Sequence, residues 1–136
     1  MFSRYLPVLF SILIITGCGE KKQVSNTDMD VARGFIESVQ QGDFKQAASL
    51  MQQDEENKTA LKKLEQQQEK SVPEEDLEKY KKADIIIGDI DPVINDSVTV
   101  INYSTSYNKE NRSKVKVVKI NGRWLIDLKY TFSGNM

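Results

Sequence analysis

Val115-Lys116-Val117-Val118-Lys119-Ile120-Asn121-Gly122-Arg123-Trp124-Leu125-Ile126-Asp127-Leu128 is a hairpin written in sequence. A two-residue loop of type I′ needs positive φ at both central positions, which Asn tolerates and Gly adopts freely. Closing the chain at Asn121-Gly122 pairs Ile120 with Arg123, Lys119 with Trp124, Val118 with Leu125, Val117 with Ile126, Lys116 with Asp127 and Val115 with Leu128. One face then carries Val115, Val117, Trp124, Ile126, Leu128 and Tyr130, which is a core face. The other sets Val118 against Leu125 and Lys116 against Asp127, apolar near the turn and oppositely charged beyond it. A slip of one residue would destroy both matches, so the register is specified by the side chains themselves. The expected strands are Ser113–Ile120 and Arg123–Thr131.

Moving outward toward the N-terminus, Asn108–Arg112 reads as a loop and Ser97–Tyr107 as a strand rich in Val, Ile, Thr and Tyr. Asn95-Asp96 is a turn, and Ile85-Ile86-Ile87 opens a first strand closed by Asp91-Pro92. Before Ala83 the period changes. Ala32, Phe35, Ile36 and Val39 fall at i, i+3, i+4 and i+7, one stripe of a helix capped by Thr27, with Asp28 and Asp30 in its first turn. Gly42 ends that helix, and Asp43 starts another with Gln46 as its capping-box partner. Phe44, Ala47, Ala48 and Met51 form the inner face of this second helix, completing an αα hairpin. Gln52–Lys70 is polar apart from Ala60, Leu61 and Leu64, and predicts a helix lying mostly in solvent and partly frayed. Ser71, Pro73 and Glu74 mark a fresh helix start, with Leu77 and Tyr80 facing inward. Helices first and then a meander make an α+β domain, with N-terminal helices packed on a curved antiparallel sheet of about four strands.

At the far end of the chain, Arg4 and the apolar stretch Leu6–Ile15 form a segment too short to cross a bilayer, which takes about 20 apolar residues. That length suits a signal sequence. It closes on Ile15-Thr16-Gly17-Cys18, which resembles the bacterial lipobox, with Ile15 where Leu is commoner. The resemblance implies that residues 1–17 are removed and that Cys18 carries acyl chains, palmitate among them. It implies a lipoprotein tied to a membrane of the cell envelope, outside the cytoplasm. Residues 18–26 read as the lipidated N-terminus and a tether, and residues 27–132 as a single domain of roughly 110 residues, enough for one modest core.

Composition excludes several chemistries. The chain has 19 Lys and Arg against 20 Asp and Glu, one Cys and no His. A chain that tracks nucleic acid usually shows a basic excess or stripe, and neither is present here. Without His, and with Cys18 lipidated, there is no intramolecular disulfide, no His/Cys zinc site and no Ser–His or Cys–His nucleophile pair. Asp89, Asp91, Asn95 and Asp96 are rich in oxygen but lack the spacing of an EF-hand loop, and read as a solvated turn around Pro92. Asp54-Glu55-Glu56 and Glu74-Glu75-Asp76 are acids at helix starts. No metal and no cofactor is expected.

Two short motifs suggest a family. Phe35–Ala47, a helix, Gly42-Asp43, and a helix carrying Ala47, resembles the opening of nuclear transport factor 2-like (cystatin-like) domains. Lys119–Ile126, with its Gly-x-Trp-x-Ile pattern, resembles their last hairpin. Together with the lipobox, they resemble small bacterial lipoproteins in that superfamily classed as a domain of unknown function. The similarity covers Asp28–Lys129, and the polar Gln52–Lys70 segment departs from it. The resemblance implies a cone-shaped fold, often dimeric, and no particular activity.

Tyr103 and Tyr107, read as two pleats apart on one strand face, line a small apolar pocket together with Trp124 or else simply fill a core. Val118, Ile120 and Leu125 leave an apolar patch on the second sheet face, covered either by the long polar helix or by a second copy of the chain in a homodimer. The leading functional reading is a non-enzymatic, membrane-tethered binding or accessory module for a protein or small apolar ligand, with no catalytic residue. The alternative is a small-molecule isomerase or hydrolase using a carboxylate and a Tyr inside the cone. That role needs an acid facing the cavity, whereas the register places Asp127 on the face away from Trp124 and beside Lys116.

Overall fold

The computed structural model describes residues 27–129; the stretch read as a signal sequence and tether, Cys18 within it, and Tyr130 lie outside them. Four helices precede an open four-stranded antiparallel sheet, an α+β fold with the elements in the expected order. Helix α1 spans Asp28–Gln40, α2 Phe44–Ser49, α3 Glu55–Ser71 and α4 Leu77–Lys81, the last entered through a single 3₁₀ turn at Glu74–Asp76. Strands β1 (Ile85–Ile94), β2 (Val98–Thr105), β3 (Asn108–Ile120) and β4 (Arg123–Asp127) lie side by side in chain order.

The caps follow the sequence. Thr27 accepts from the Asp30 N–H, and Asp43 accepts from the Gln46 N–H. Gly42 stands at φ +75°, the left-handed conformation that ends α1. Asp54 caps α3 twice over. One carboxylate oxygen accepts from the Asn57 backbone N–H at 2.9 Å and the other from its side-chain amide at 2.7 Å. Those two bonds, the backbone one foremost, and the nearby Lys129 cation hold the Asp54 carboxyl below the usual carboxylate value despite some desolvation. A carboxyl whose pKa is lower folded than unfolded stabilises the fold above its unfolded value of about 4, and the contribution disappears as pH falls through the lowered value. Asp54→Asn, which keeps a capping oxygen but has no charge, is therefore expected to flatten the fall of Tm between pH 5 and pH 2 in a calorimetric series. An unchanged acid limb would show that the cap charge contributes nothing.

The last hairpin has the expected register: Ile120 with Arg123, Lys119 with Trp124, Val118 with Leu125, Val117 with Ile126, and Lys116 with Asp127. Asn121 and Gly122 sit at φ +50° and +77°, as a type I′ turn requires. The expected extension of the strand to Thr131 is corrected. β4 ends at Asp127 because the Leu128 N–H turns away from β3 and donates to Asn57 Oδ1 on α3 at 2.7 Å. The other edge of β4 is occupied as well: Ile126 N–H donates to the Leu50 carbonyl and Gln52 N–H to the Ile126 carbonyl, at 2.9 and 3.0 Å. This short parallel bridge ties the exit of α2 to the sheet.

Two more boundaries differ from expectation. Asn108–Arg112, read as a loop, is the start of β3, since Thr105 already pairs with Asn108 across a tight connection at Ser106-Tyr107. Its side chains are exposed, so no apolar alternation marked it as strand. β1 does not stop at Asp91-Pro92 but continues to Ile94 through two register irregularities. Pro92 is tolerated because β1 is an edge strand.

The core lies between the helices and one sheet face. Val31, Ala32, Phe35, Ile36 and Val39 of α1 and Ala47 of α2 meet Ile101, Val115, Val117, Ile126 and Leu128, all buried. Ala60 and Leu61 of α3 belong to the same cluster. α3 therefore packs on the core side, and the Val118–Ile120–Leu125 patch on the reverse face is not covered by it. Polar anchors fix both ends of α1. Thr99 Oγ1 donates to Asp28 Oδ2 at 2.7 Å at one end. At the other, Gln40 Nε2 donates to the Tyr80 and Ala83 carbonyls, both at 2.7 Å.

Candidate binding pocket

Gln40 is an amide on the apolar stripe of α1, four residues beyond Ile36, and it is 3% exposed. By donating to the Tyr80 carbonyl of α4 and to the Ala83 carbonyl just beyond the helix, it fixes where Tyr80 stands. Tyr80 meets Tyr107 edge to face, with ring centroids 5.6 Å apart and planes at 87°. Tyr107 lies in the β2–β3 turn, two residues beyond β2 rather than on the strand face with Tyr103. Its hydroxyl donates to Asp76 Oδ2 at 3.0 Å, and that hydrogen bond, with the acid's charge, holds its proton on above the usual tyrosine value. The Lys79 ammonium sits 5.8 Å from the same ring.

These contacts wall a cavity of about 300 Å³ between the C-terminal half of α3, α4 and the β2–β3 end of the sheet. Tyr103 and Tyr107 both line it, with Tyr80, Gln67 and Gln68. Burial pushes the Tyr103 hydroxyl up to about 12, the hydrogen bond with Ser113 working the other way. It is a donor at neutral pH and does not act as a base. No Asp, Glu, Lys or Arg lines the cavity. Gln68 lines the cavity, and its Oε1 is buried with no hydrogen-bond partner among the described residues. A buried acceptor without a donor costs free energy on the order of 1–3 kcal/mol, which a ligand N–H or O–H reaching Gln68 Oε1 would recover.

Trp124 is elsewhere. It lines an open groove at the opposite end of the sheet with Thr27, Asp28, Asp96 and Lys119, whose ammonium lies 5.6 Å from the indole. Trp124 therefore does not share a pocket with the two tyrosines. Asp127 is only 8% exposed, but one carboxylate oxygen lies 3.6 Å from Lys116 Nζ and the other accepts from the Lys129 N–H. Among the described residues, no three Asp or Glu side chains converge as a metal-binding group, and no helix is long and apolar enough to cross a membrane.

Neither Gln40 nor Gln68 was singled out from sequence. Gln40 had a signal, a polar residue on a buried stripe. Gln68 had none, because it sits in a run of Gln, Glu and Lys. Comparison with protein-family models, curated proteins and solved structures finds no match to this chain.

Proposed function

We propose that this chain is a lipid-anchored envelope module that binds a small uncharged ligand in the Tyr103–Gln68 cavity and does not transform it. The single observation that carries this reading is the orphaned Gln68 acceptor on an aromatic wall without charged side chains. The volume is at the small end of ligand pockets. A charged ligand would be desolvated there with nothing to pair it. The fitting chemistry is a neutral ring or amide with a donor for Gln68, an acceptor for the Tyr103 hydroxyl and an apolar face for Tyr80. A sugar ring or an N-acyl group meets all three conditions.

The alternative, an isomerase or hydrolase, needs an acid or base aimed at the ligand. Asp76 accepts from Tyr107 but does not line the cavity, Asp127 is engaged with Lys116, and Asp89 meets Tyr103 only in a separate hollow that Lys109 and Arg112 also line. The test is NMR titration of the mature chain with neutral saccharides, N-acetylated amino sugars and small amides. The expected result is saturable shifts at the Gln68 side-chain amide and around Tyr103. Gln68→Leu is expected to weaken that binding about 5–10-fold, the worth of one neutral hydrogen bond, with the fold unchanged. Turnover of the ligand, or binding equally tight in Gln68→Leu, would falsify the reading. Palmitate labelling that survives Cys18→Ser would remove the anchor.

A further inference from the structure

The two turns Asn95–Ser97 and Asn121-Gly122 lie at the same end of the sheet. Ile94 pairs with Val98, Val98 with Val118 and Val118 with Leu125, two pairs before the one that closes the hairpin, and Lys119 N–H donates to the Ser97 carbonyl at 2.8 Å. The start of α1 is there too, since Thr27 and Asp28 line one groove with Pro92, Asn95 and Trp124. This end presents large apolar side chains to solvent: Val93 and Ile94 are each 56% exposed and Ile120 is 40% exposed. A cluster of this kind at the tip of a domain calls for a partner.

We propose that this end of the sheet docks on the lipid bilayer, with Val93, Ile94 and Ile120 entering its surface. The occupant follows from where the chain leaves the described domain. Residues 18–26 join it at Thr27, which shares a groove with Pro92, Asn95 and Lys119, the chain neighbours of these side chains, and a stretch of that length spans at most about 30 Å when fully extended. A lipid on Cys18 therefore holds this end, and not the opposite one, against the membrane. Tethering turns a weak surface contact into an intramolecular one at high effective concentration, so three apolar side chains suffice where free in solution they would not. Asp28, Asp91 and Asp96 at the same end offset Lys119 and Arg123, so the contact is apolar and does not depend on anionic headgroups. The Tyr103–Gln68 cavity opens beside the β2–β3 turn, at the other end of the meander, and faces away from the bilayer. The inference rests on lipid attachment at Cys18.

Trp124, the single tryptophan of the chain, reports on this end. The mature chain is coupled through its Cys18 thiol to a maleimide lipid in phosphatidylcholine vesicles, which supplies the tether whatever the native modification. Lipids brominated near the headgroup are expected to quench Trp124, and Val93→Ser/Ile94→Ser/Ile120→Ser is expected to reduce that quenching at least threefold with an unchanged circular dichroism spectrum and melting curve. All three positions are exposed, so the variant folds. Equal quenching in both chains, or none in either, overturns the docking. So does self-association by sedimentation that the triple variant abolishes without any quenching, which would assign the patch to a second copy of the chain. Mass spectrometry of Cys18 in native membranes separates the two premises: quenching with an unlipidated native Cys18 removes the anchor alone, and a lipidated Cys18 without quenching removes the docking alone.

Discussion

Asn57→Ala is expected to lower the unfolding free energy by about 2–3 kcal/mol. Asn57 is fully buried although its neighbours in α3 are almost all solvated. Its Oδ1 is the acceptor for the Leu128 N–H, 71 residues away in sequence, and its amide donates to the Asp54 cap. Alanine leaves the Leu128 N–H buried without a partner, frees one cap oxygen and opens a small void. Asn57→Leu separates these effects: it fills the volume but restores neither bond, and a loss close to that of alanine assigns the cost to hydrogen bonding. Urea denaturation measures both. A loss under about 0.5 kcal/mol for alanine, the scale of an ordinary surface substitution, would show that Leu128 N–H finds another acceptor.

Asn57 also shows where a sequence stops being informative. Residues whose environment is set by near neighbours could be read. The 3.6-residue stripe from Ala32 to Val39, the caps at Thr27 and Asp43, and the turn at Asn121-Gly122 all follow from local periodicity or φ preference. The pairing of Val117 with Ile126 followed too, because a two-residue loop leaves one register that satisfies both faces. Asn57 sits three residues after its cap in a polar helix, and nothing nearby reveals that β4 will end above it. The start of β3 was hidden for the opposite reason. Its residues are solvated on both faces, and backbone pairing with Thr105 needs no apolar signature. Tyr107 was placed on a strand face by counting pleats, but the chain turns just before it, so it meets Tyr80 instead of standing above Tyr103. The pocket has the same character. Its tyrosines were visible as residue types, while the acceptor that gives it a chemical preference comes from a helix whose composition reads as mostly solvent-facing.

Asn57 and the Leu50–Gln52 bridge act on the same element, and a hydrophobic prediction shows how much depends on it. β4 is only five residues long, yet backbone hydrogen bonds from it and from Leu128 just beyond it tie the sheet to the exit of α2 and to α3. Ile126, its fourth residue, has no exposed surface, with Val117 beside it and Met51 bridged to its far edge. Ile126→Ala is expected to cost about 3–4 kcal/mol, from lost transfer free energy and from a cavity that two hydrogen-bonded neighbours cannot close. In a domain of about 100 residues that corresponds to a Tm lower by roughly 15–25 °C, a large share of the 5–15 kcal/mol such domains possess. Ile120→Ala, in the same hairpin but exposed, is the control and should move Tm by only a few degrees. Because Ile126 and Asn57 hold one short strand from two sides, the double variant should lose less than the two single losses added together, once either has released β4. Strict additivity would mean that the strand's two attachments melt independently, and that β4 is not the cooperative hinge between helices and sheet that its hydrogen bonds describe.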